Sequence, residues 1–81
     1  MSLELRWFAA ARQAAGRSSQ SVDAGRPLAA TLASLTEANR ALAGVVARSS
    51  YLVDGIRRDL SDPAPLADGS TVDVLPPFAG G

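Results

Sequence analysis

The sequence contains no cysteine and no histidine, and all eight of its basic side chains are arginine. Without cysteine there is no disulfide framework, no thiolate nucleophile and no cysteine-based zinc or iron–sulfur site. Without histidine, the side chain best suited to proton transfer near neutral pH is missing, and no familiar base stands ready to activate a serine. "GRSSQ" and "DGSTV" lack the glycine spacing and the lysine of a phosphate-binding loop. We therefore expect no side-chain active site.

Clustered charge and long apolar runs are also missing. Eight basic and eight acidic side chains give a formal net charge of zero, which disfavours nucleic-acid binding because phosphates need a concentrated basic face. No apolar run approaches the ~20 residues that cross a bilayer. The first segment, "MSLELRW", has neither the basic nor the apolar part of a signal peptide. We expect a cytoplasmic protein that binds neither nucleic acid nor a membrane.

The first third of the chain predicts a strand, a short helix and a weaker strand. "SLELRWF" alternates, which places Leu3, Leu5 and Trp7 on one face of a half-buried strand and leaves Phe8 on the otherwise polar face. "AAARQAAG" suits a short helix that ends at Gly16. "SSQSVD" is a weak strand candidate between polar turn residues.

The middle of the chain contains the clearest helix, "GRPLAATLASLTEANRAL". Leu28, Leu32 and Leu35 recur at spacings of four and three residues, so they form one stripe that faces a core. A second short helix follows, ending near Gly44 or Arg48. After it, "SSYLVDG" predicts a short strand that ends in a hairpin turn, and "IRRDL" predicts a brief edge strand.

The last predicted strand is "TVDVLP", with Val72 and Val74 inward and Thr71, Asp73 and Leu75 outward. One helix that buries its leucine stripe against such strands is an α+β arrangement of two layers. We therefore predict a mixed sheet of about five strands packed on one main helix. The first and last strands are the most apolar, so they are expected to be neighbours at its centre.

Four aspartates lie in predicted turns: Asp54, Asp59, Asp62 and Asp68. Aspartate in a turn commonly has a local role with the backbone. The spacing of these four fits no calcium loop. We therefore predict no metal site.

Both ends of the sequence resemble one known family. "WFAAARQAAG" resembles the family's opening, in which Phe-Ala ends the first strand, and "LADGSTVDVLPPFAGG" resembles its closing pattern. With the length and element order, these segments make the chain similar to the MoaD/ThiS sulfur carriers, which have the ubiquitin-like β-grasp fold. The diproline before the glycines is most like the small subunit of molybdopterin synthase. The resemblance implies a β-grasp domain over residues 1–75 and a flexible tail over residues 76–81.

The resemblance also implies that the carboxylate of Gly81 is the reactive group. A partner, an E1-like adenylating enzyme, would use ATP to form an acyl-adenylate there, and a sulfur donor would replace AMP to leave a thiocarboxylate. The large subunit of molybdopterin synthase, or another sulfur-transferring enzyme, would then receive the sulfur. The chain itself would bind no cofactor and would act as a co-substrate rather than as an enzyme.

The tail suits this chemistry. Gly80 and Gly81 have no Cβ atom and can thread a narrow channel together with Ala79. The six residues from Pro76 to Gly81 reach at most ~20 Å. Pro76 and Pro77 stiffen the base of the tail, which reduces the entropy lost on insertion.

An exposed apolar patch beside the tail is expected to bind the partner. Phe8 and Leu75 lie near each other if their strands are neighbours, and Phe78 extends the patch together with Pro76 and Pro77. For Phe8, packing under the first helix or against Pro76 is an equally open reading.

Three alternatives to the molybdopterin assignment stay open. The first is a sulfur carrier for thiamine, cysteine or specialised-metabolite biosynthesis. The second is a ubiquitin-like modifier whose activated end joins amines. The lack of lysine fits the arginine- and alanine-rich composition, and it also leaves no side-chain amine in the chain itself for such an end to acylate. The third is an interaction module with an inert tail.

Overall fold

The computed structural model describes residues 1–77, and in this part of the chain five strands form one mixed sheet. The order across the sheet is β2-β1-β5-β3-β4, so the first and last strands are neighbours in the centre, as predicted. β1 and β5 run parallel, and the other neighbouring strands run antiparallel. The strands are β1 Ser2–Trp7, β2 Ser19–Asp23, β3 Ser50–Val53, β4 Ile56–Arg57 and β5 Thr71–Leu75.

Three helices pack on one face of this sheet: the predicted main helix and two short ones. They are α1 Ala9–Ala15, α2 Leu28–Thr36 and α3 Arg40–Val46. α1 ends as predicted at Gly16, whose left-handed φ of +79° favours glycine. The long predicted helix is divided at Asn39, because its side chain caps a new helix by accepting a hydrogen bond of 3.0 Å from the Leu42 N–H. α3 is the predicted second short helix.

The inner face of the sheet and the helices enclose one apolar core. In β1 the alternation is complete, with Leu3, Leu5 and Trp7 buried as predicted. From α2, Leu28 and Leu32 enter the core, and Leu35 packs at its margin. The remaining apolar core residues are Ala11, Leu42, Val46, Tyr51, Val53, Leu66, Val72 and Val74. Within residues 1–77, no helix is both long and apolar enough to cross a membrane.

Two of the turn aspartates tie distant parts of the chain together, so the prediction of purely local roles is wrong for them. Asp54 accepts a hydrogen bond of 2.9 Å from the Thr71 N–H, and Asp68 accepts one of 2.8 Å from the Ser2 N–H. Both therefore connect a turn to the start of a central strand. Asp62 does have the local role, since its carboxylate accepts from the Ala64 N–H at 2.9 Å.

Candidate partner-binding site

The predicted apolar patch forms where β1 and β5 end. The two strands are parallel and pair Trp7 with Val74 at their last shared position. The next residues, Phe8 and Leu75, therefore lie at the same edge of the sheet, where Leu75 still pairs with Ser50 of β3. With Ala9 and Pro76 they line a shallow depression of about 260 Å³. The structure thus brings together three of the predicted partner-binding residues, Phe8, Leu75 and Pro76.

Phe8 lies at the surface and beside Pro76, so it combines parts of both readings that the sequence left open. Its side chain is 39% exposed, and its extended backbone precedes the first turn of α1. The next residue, Ala9, has a φ of +50°, in the left-handed region that favours glycine. This turn lets the chain enter α1 while the Phe8 ring stays on the outer side of the sheet.

The rest of the predicted tail is only partly described. Pro76 is half-buried at the rim of the depression, and Pro77 is exposed. The predicted residues Phe78, Ala79, Gly80 and Gly81 lie outside the described residues. Pro76, the first residue after β5, lines the depression.

An ion pair that the sequence analysis missed lies next to the depression. Arg6 and Asp73 are register partners on β1 and β5. The guanidinium donates from Nε to one carboxylate oxygen at 2.6 Å and from Nη2 to the other at 2.9 Å. This hydrogen bonding and the charge of Asp73 raise the pKa of Arg6 above its ordinary value. The pair therefore joins the two central strands on the face opposite the helices.

Asp73 corrects one prediction. The alternation of β5 does place it on the outer face, but the residue is buried there, with 9% of its surface exposed. Arg6 covers it from β1, and Leu52 is its register partner on β3. The sequence did indicate a polar outer face in each of these two neighbouring strands, which is a sign that polar side chains of β1 and β5 meet there. The register that brings the two charges together was not evident from the sequence.

We call the side of the sheet that faces away from the helices the outer face. One row across it follows the register from β1 to β4 and consists of Arg6, Asp73, Leu52 and Arg57. Phe8 and Leu75 lie at the end of this face where β1 and β5 end, next to Pro76. The outer face therefore combines an ion pair, a second arginine and a small apolar area.

No group of three or more side chains suited to metal binding is found in residues 1–77. The titratable groups near the depression form the Arg6–Asp73 pair, which is already satisfied by mutual hydrogen bonds. This site offers an apolar recess and a charged row beside Pro76, the first residue after β5. Such a surface is suited to contacting another protein.

The family model described as "ThiS family" matches residues 5–81 of the chain. The chain belongs to the ThiS family. The match begins at Leu5, within β1, and continues through residues 76–81 to Gly81. A search of curated protein sequences gave no match.

Solved structures of similar proteins have the same fold over nearly their whole length. The HVO 2177 protein of Haloferax volcanii is 34% identical, with a TM-score of 0.78, over 100% of this chain and 87% of that one. SAMP1 of the same organism is 25% identical, with a TM-score of 0.79, over 100% of both chains. One chain in the complex of subunits 1 and 2 of molybdopterin-converting factor from Helicobacter pylori is 22% identical, with a TM-score of 0.70. The match covers 100% of the present chain and 100% of that one. The chain has the ubiquitin-like β-grasp fold of these proteins.

Proposed function

We propose that this chain is a sulfur carrier whose Gly81 carboxylate is adenylated by a partner enzyme and then converted to a thiocarboxylate. The observation that supports the proposal is the family match, which continues through the tail to Gly81. Pro76 and Pro77 follow directly on a central strand, and Pro76 lines an apolar recess. A partner that binds this recess would hold the start of residues 76–81 in a defined position.

The chemistry explains why a carrier needs a partner. A free carboxylate is a poor electrophile, because its negative charge repels nucleophiles and its leaving group would be oxide. Transfer of AMP from ATP removes the charge and supplies a good leaving group. A sulfur donor then displaces AMP and leaves a thiocarboxylate. The chain contributes the carboxylate and the docking surface, while the adenylating enzyme binds and uses the ATP.

The most specific assignment is the small subunit of molybdopterin synthase. The diproline between β5 and the glycines favours this role over thiamine, cysteine or specialised-metabolite biosynthesis. The fold is also that of a subunit in the Helicobacter pylori molybdopterin-converting factor complex. In this role, the large subunit of the synthase would bind the carrier and receive its sulfur for a pterin precursor.

Adenylation and sulfur transfer are tested by mass spectrometry and pyrophosphate exchange. The chain is incubated with the E1-like adenylating enzyme of the same organism, ATP and a sulfur donor. We expect ATP–pyrophosphate exchange and a mass gain equal to the difference between one sulfur and one oxygen atom. Deletion of Gly81 should abolish both signals, whereas Arg40→Ala, on the helical side, should leave them unchanged. Exchange by the chain without Gly81 would refute the proposal.

A second candidate, a ubiquitin-like protein modifier, is favoured by the likeness to SAMP1, which is 25% identical over the full length of both chains. The two functions share the adenylated tail but differ in what the tail joins. A modifier would form an amide with an amine of another protein, which appears as a species heavier by the mass of that protein. A sulfur carrier would show only the exchange of oxygen for sulfur.

A further inference from the structure

The Arg6–Asp73 pair occupies the middle of the outer face, because β1 and β5 are the central strands of the sheet. It also adjoins the depression at the exit of the tail. The Arg6 guanidinium carbon lies 5.8 Å from the centre of the Phe8 ring, a distance at which a cation is attracted to an aromatic face. Asp73 thus holds Arg6, and Arg6 contacts one wall of the depression.

The two members of the pair differ in how much they can still bind. The Asp73 side chain is 12% exposed and both of its oxygens accept from Arg6, whereas the Arg6 side chain is 47% exposed. A guanidinium has five N–H donors in a planar fork. Within residues 1–77, Nη1 of Arg6 makes no hydrogen bond. The carboxylate is therefore satisfied, while one edge of the guanidinium is free to bind an acceptor.

The row of side chains that crosses the outer face favours an acidic acceptor, and Glu4, whose charge also acts on Arg6, lies outside that row on the same strand. In the row that crosses the outer face, Arg6 neutralises Asp73, and Arg57 adds a second positive charge beyond Leu52. The row as a whole is therefore positive, with an apolar side chain between its charged ends. A partner surface that fits it carries a carboxylate opposite Arg6 and an apolar side chain beside it.

Stability of the fold does not account for the pair. Replacing a buried ion pair by apolar residues of similar size is often neutral or stabilising, and exposed pairs contribute little. An oriented charge in a contact surface instead gives specificity. It strengthens binding to a partner that carries the opposite charge and weakens binding to one that places an apolar or like-charged side chain there.

We propose that Arg6, held in place by Asp73, is a specificity-determining residue of the outer face. It pairs with a carboxylate of the protein that adenylates Gly81, while Phe8 and Leu75 contact an apolar side chain of that protein. This inference rests on the proposed function, and it adds the chemistry of the partner surface. Asp73 is a positioning residue that acts through Arg6.

The test measures binding to the E1-like adenylating enzyme of the same organism by calorimetry without ATP. We expect Arg6→Ala to weaken binding by about tenfold or more, since a carboxylate of the enzyme loses its partner. Arg6→Lys keeps the charge but loses the planar fork, so its affinity should lie between that of Arg6→Ala and that of the unmodified chain. Arg40→Ala removes the same charge from α3 on the helical side, and it should bind like the unmodified chain.

A charge-exchanged variant, Arg6→Asp with Asp73→Arg, separates docking from folding. It can restore the ion pair between β1 and β5, but the guanidinium now projects from β5 and no longer stacks on Phe8 from β1. We expect normal far-UV circular dichroism together with the weak binding of Arg6→Ala. A purely structural pair would instead recover full affinity in this variant.

Three results would overturn the inference: full affinity of Arg6→Ala, full affinity of the charge-exchanged variant, or no binding of the unmodified chain. Pyrophosphate exchange is measured in parallel and decides the proposed function separately. Binding without any exchange would refute adenylation of Gly81 and still decide the role of Arg6. With exchange, Arg6→Ala should raise the KM for the chain and change kcat by no more than about twofold.

Discussion

The two faces of the sheet differ in character although the same strands form both. On the inner face, Leu5, Trp7 and Val74 are almost completely buried and contact the helices. On the outer face, the same two central strands present Arg6, with 47% of its side chain exposed, and Asp73 beneath it. The inner face supplies the apolar burial that stabilises the fold. The outer face is free to be shaped by a partner.

The largest expected difference between the faces comes from Trp7→Ala. Trp7 is 2% exposed, and its indole N–H donates to the Gln20 side chain at 2.8 Å. We expect a loss of about 3–5 kcal/mol in the free energy of unfolding, from the cavity and the lost apolar burial. Urea denaturation followed by circular dichroism measures it. Glu4→Ala, on the outer side of the same strand, should stay within about 0.5 kcal/mol of the unmodified chain. Equal losses would abolish the distinction between the faces.

A buried tyrosine on the inner face should also make the protein less stable at alkaline pH. The Tyr51 hydroxyl donates to the Val46 carbonyl in the core, and burial raises the pKa of Tyr51 above its ordinary value of 10.0. Because the folded state binds this proton more tightly, stability is unaffected below pH 10.0 and falls as the pH rises above it.

Tyr51→Phe should remove this pH dependence. The chain has one tyrosine and neither cysteine nor lysine, so no other side chain ionises in the same range. At neutral pH the variant should lose about 1 kcal/mol with the hydrogen bond. Urea denaturation of the variant and of the unmodified chain, at neutral pH and at a pH above 10.0, measures both the loss at neutral pH and the change in pH dependence. A variant that kept the alkaline loss would show that another group causes it.

The junction between the faces is tested by glycine at two adjacent positions. Ala9, the first residue of α1, has a φ of +50°, whereas Ala10, the second residue of the helix, does not have a positive φ. Ala10→Gly should cost about 1 kcal/mol, the usual loss in a helix. Ala9→Gly should cost less than this, because glycine relieves the left-handed backbone and so offsets its greater entropy loss on folding. Thermal denaturation compares the two variants. An equal loss at both positions would mean that the backbone at Ala9 is unstrained.

The smallest effect is expected where the outer face alone is changed. Arg6→Leu with Asp73→Leu should leave the free energy of unfolding unchanged or raised, since an apolar pair packs between the two strands as well as an ion pair. Urea denaturation at low protein concentration measures this without association of the variant. A clear loss of stability would assign the pair to folding rather than to docking.

How far the sequence predicts the structure also differs between the faces. Period-two alternation places Leu3, Leu5 and Trp7 inside without knowledge of any partner strand. The Arg6–Asp73 contact depends on the register of two strands whose residues are 67 positions apart in the chain. No local pattern encodes that register. For the same reason, the alternation correctly placed Asp73 on the outer side but missed its burial.

Local sequence predicted the second short helix but not the residue at which it begins. The leucine stripe predicts α2, but the break before α3 depends on Asn39, whose side chain caps α3 and also donates to the Ala14 carbonyl of α1 at 3.0 Å. This second bond joins helices that are far apart in the chain. The recess beside the tail was predictable in outline, because the apolar character of the first and last strands implied that they are neighbours.

The parallel pairing of β1 with β5 has a consequence for the order in which the protein is made. The ribosome synthesises β1 first, and the centre of the sheet cannot close until β5, the last strand, has emerged. Contacts between such distant segments form late, since they require the largest loop to close. Residues 76–81 follow β5 directly in the sequence, so in a growing chain they appear only after that strand. A chain interrupted before β5 lacks the strand that lies between β1 and β3 in the sheet.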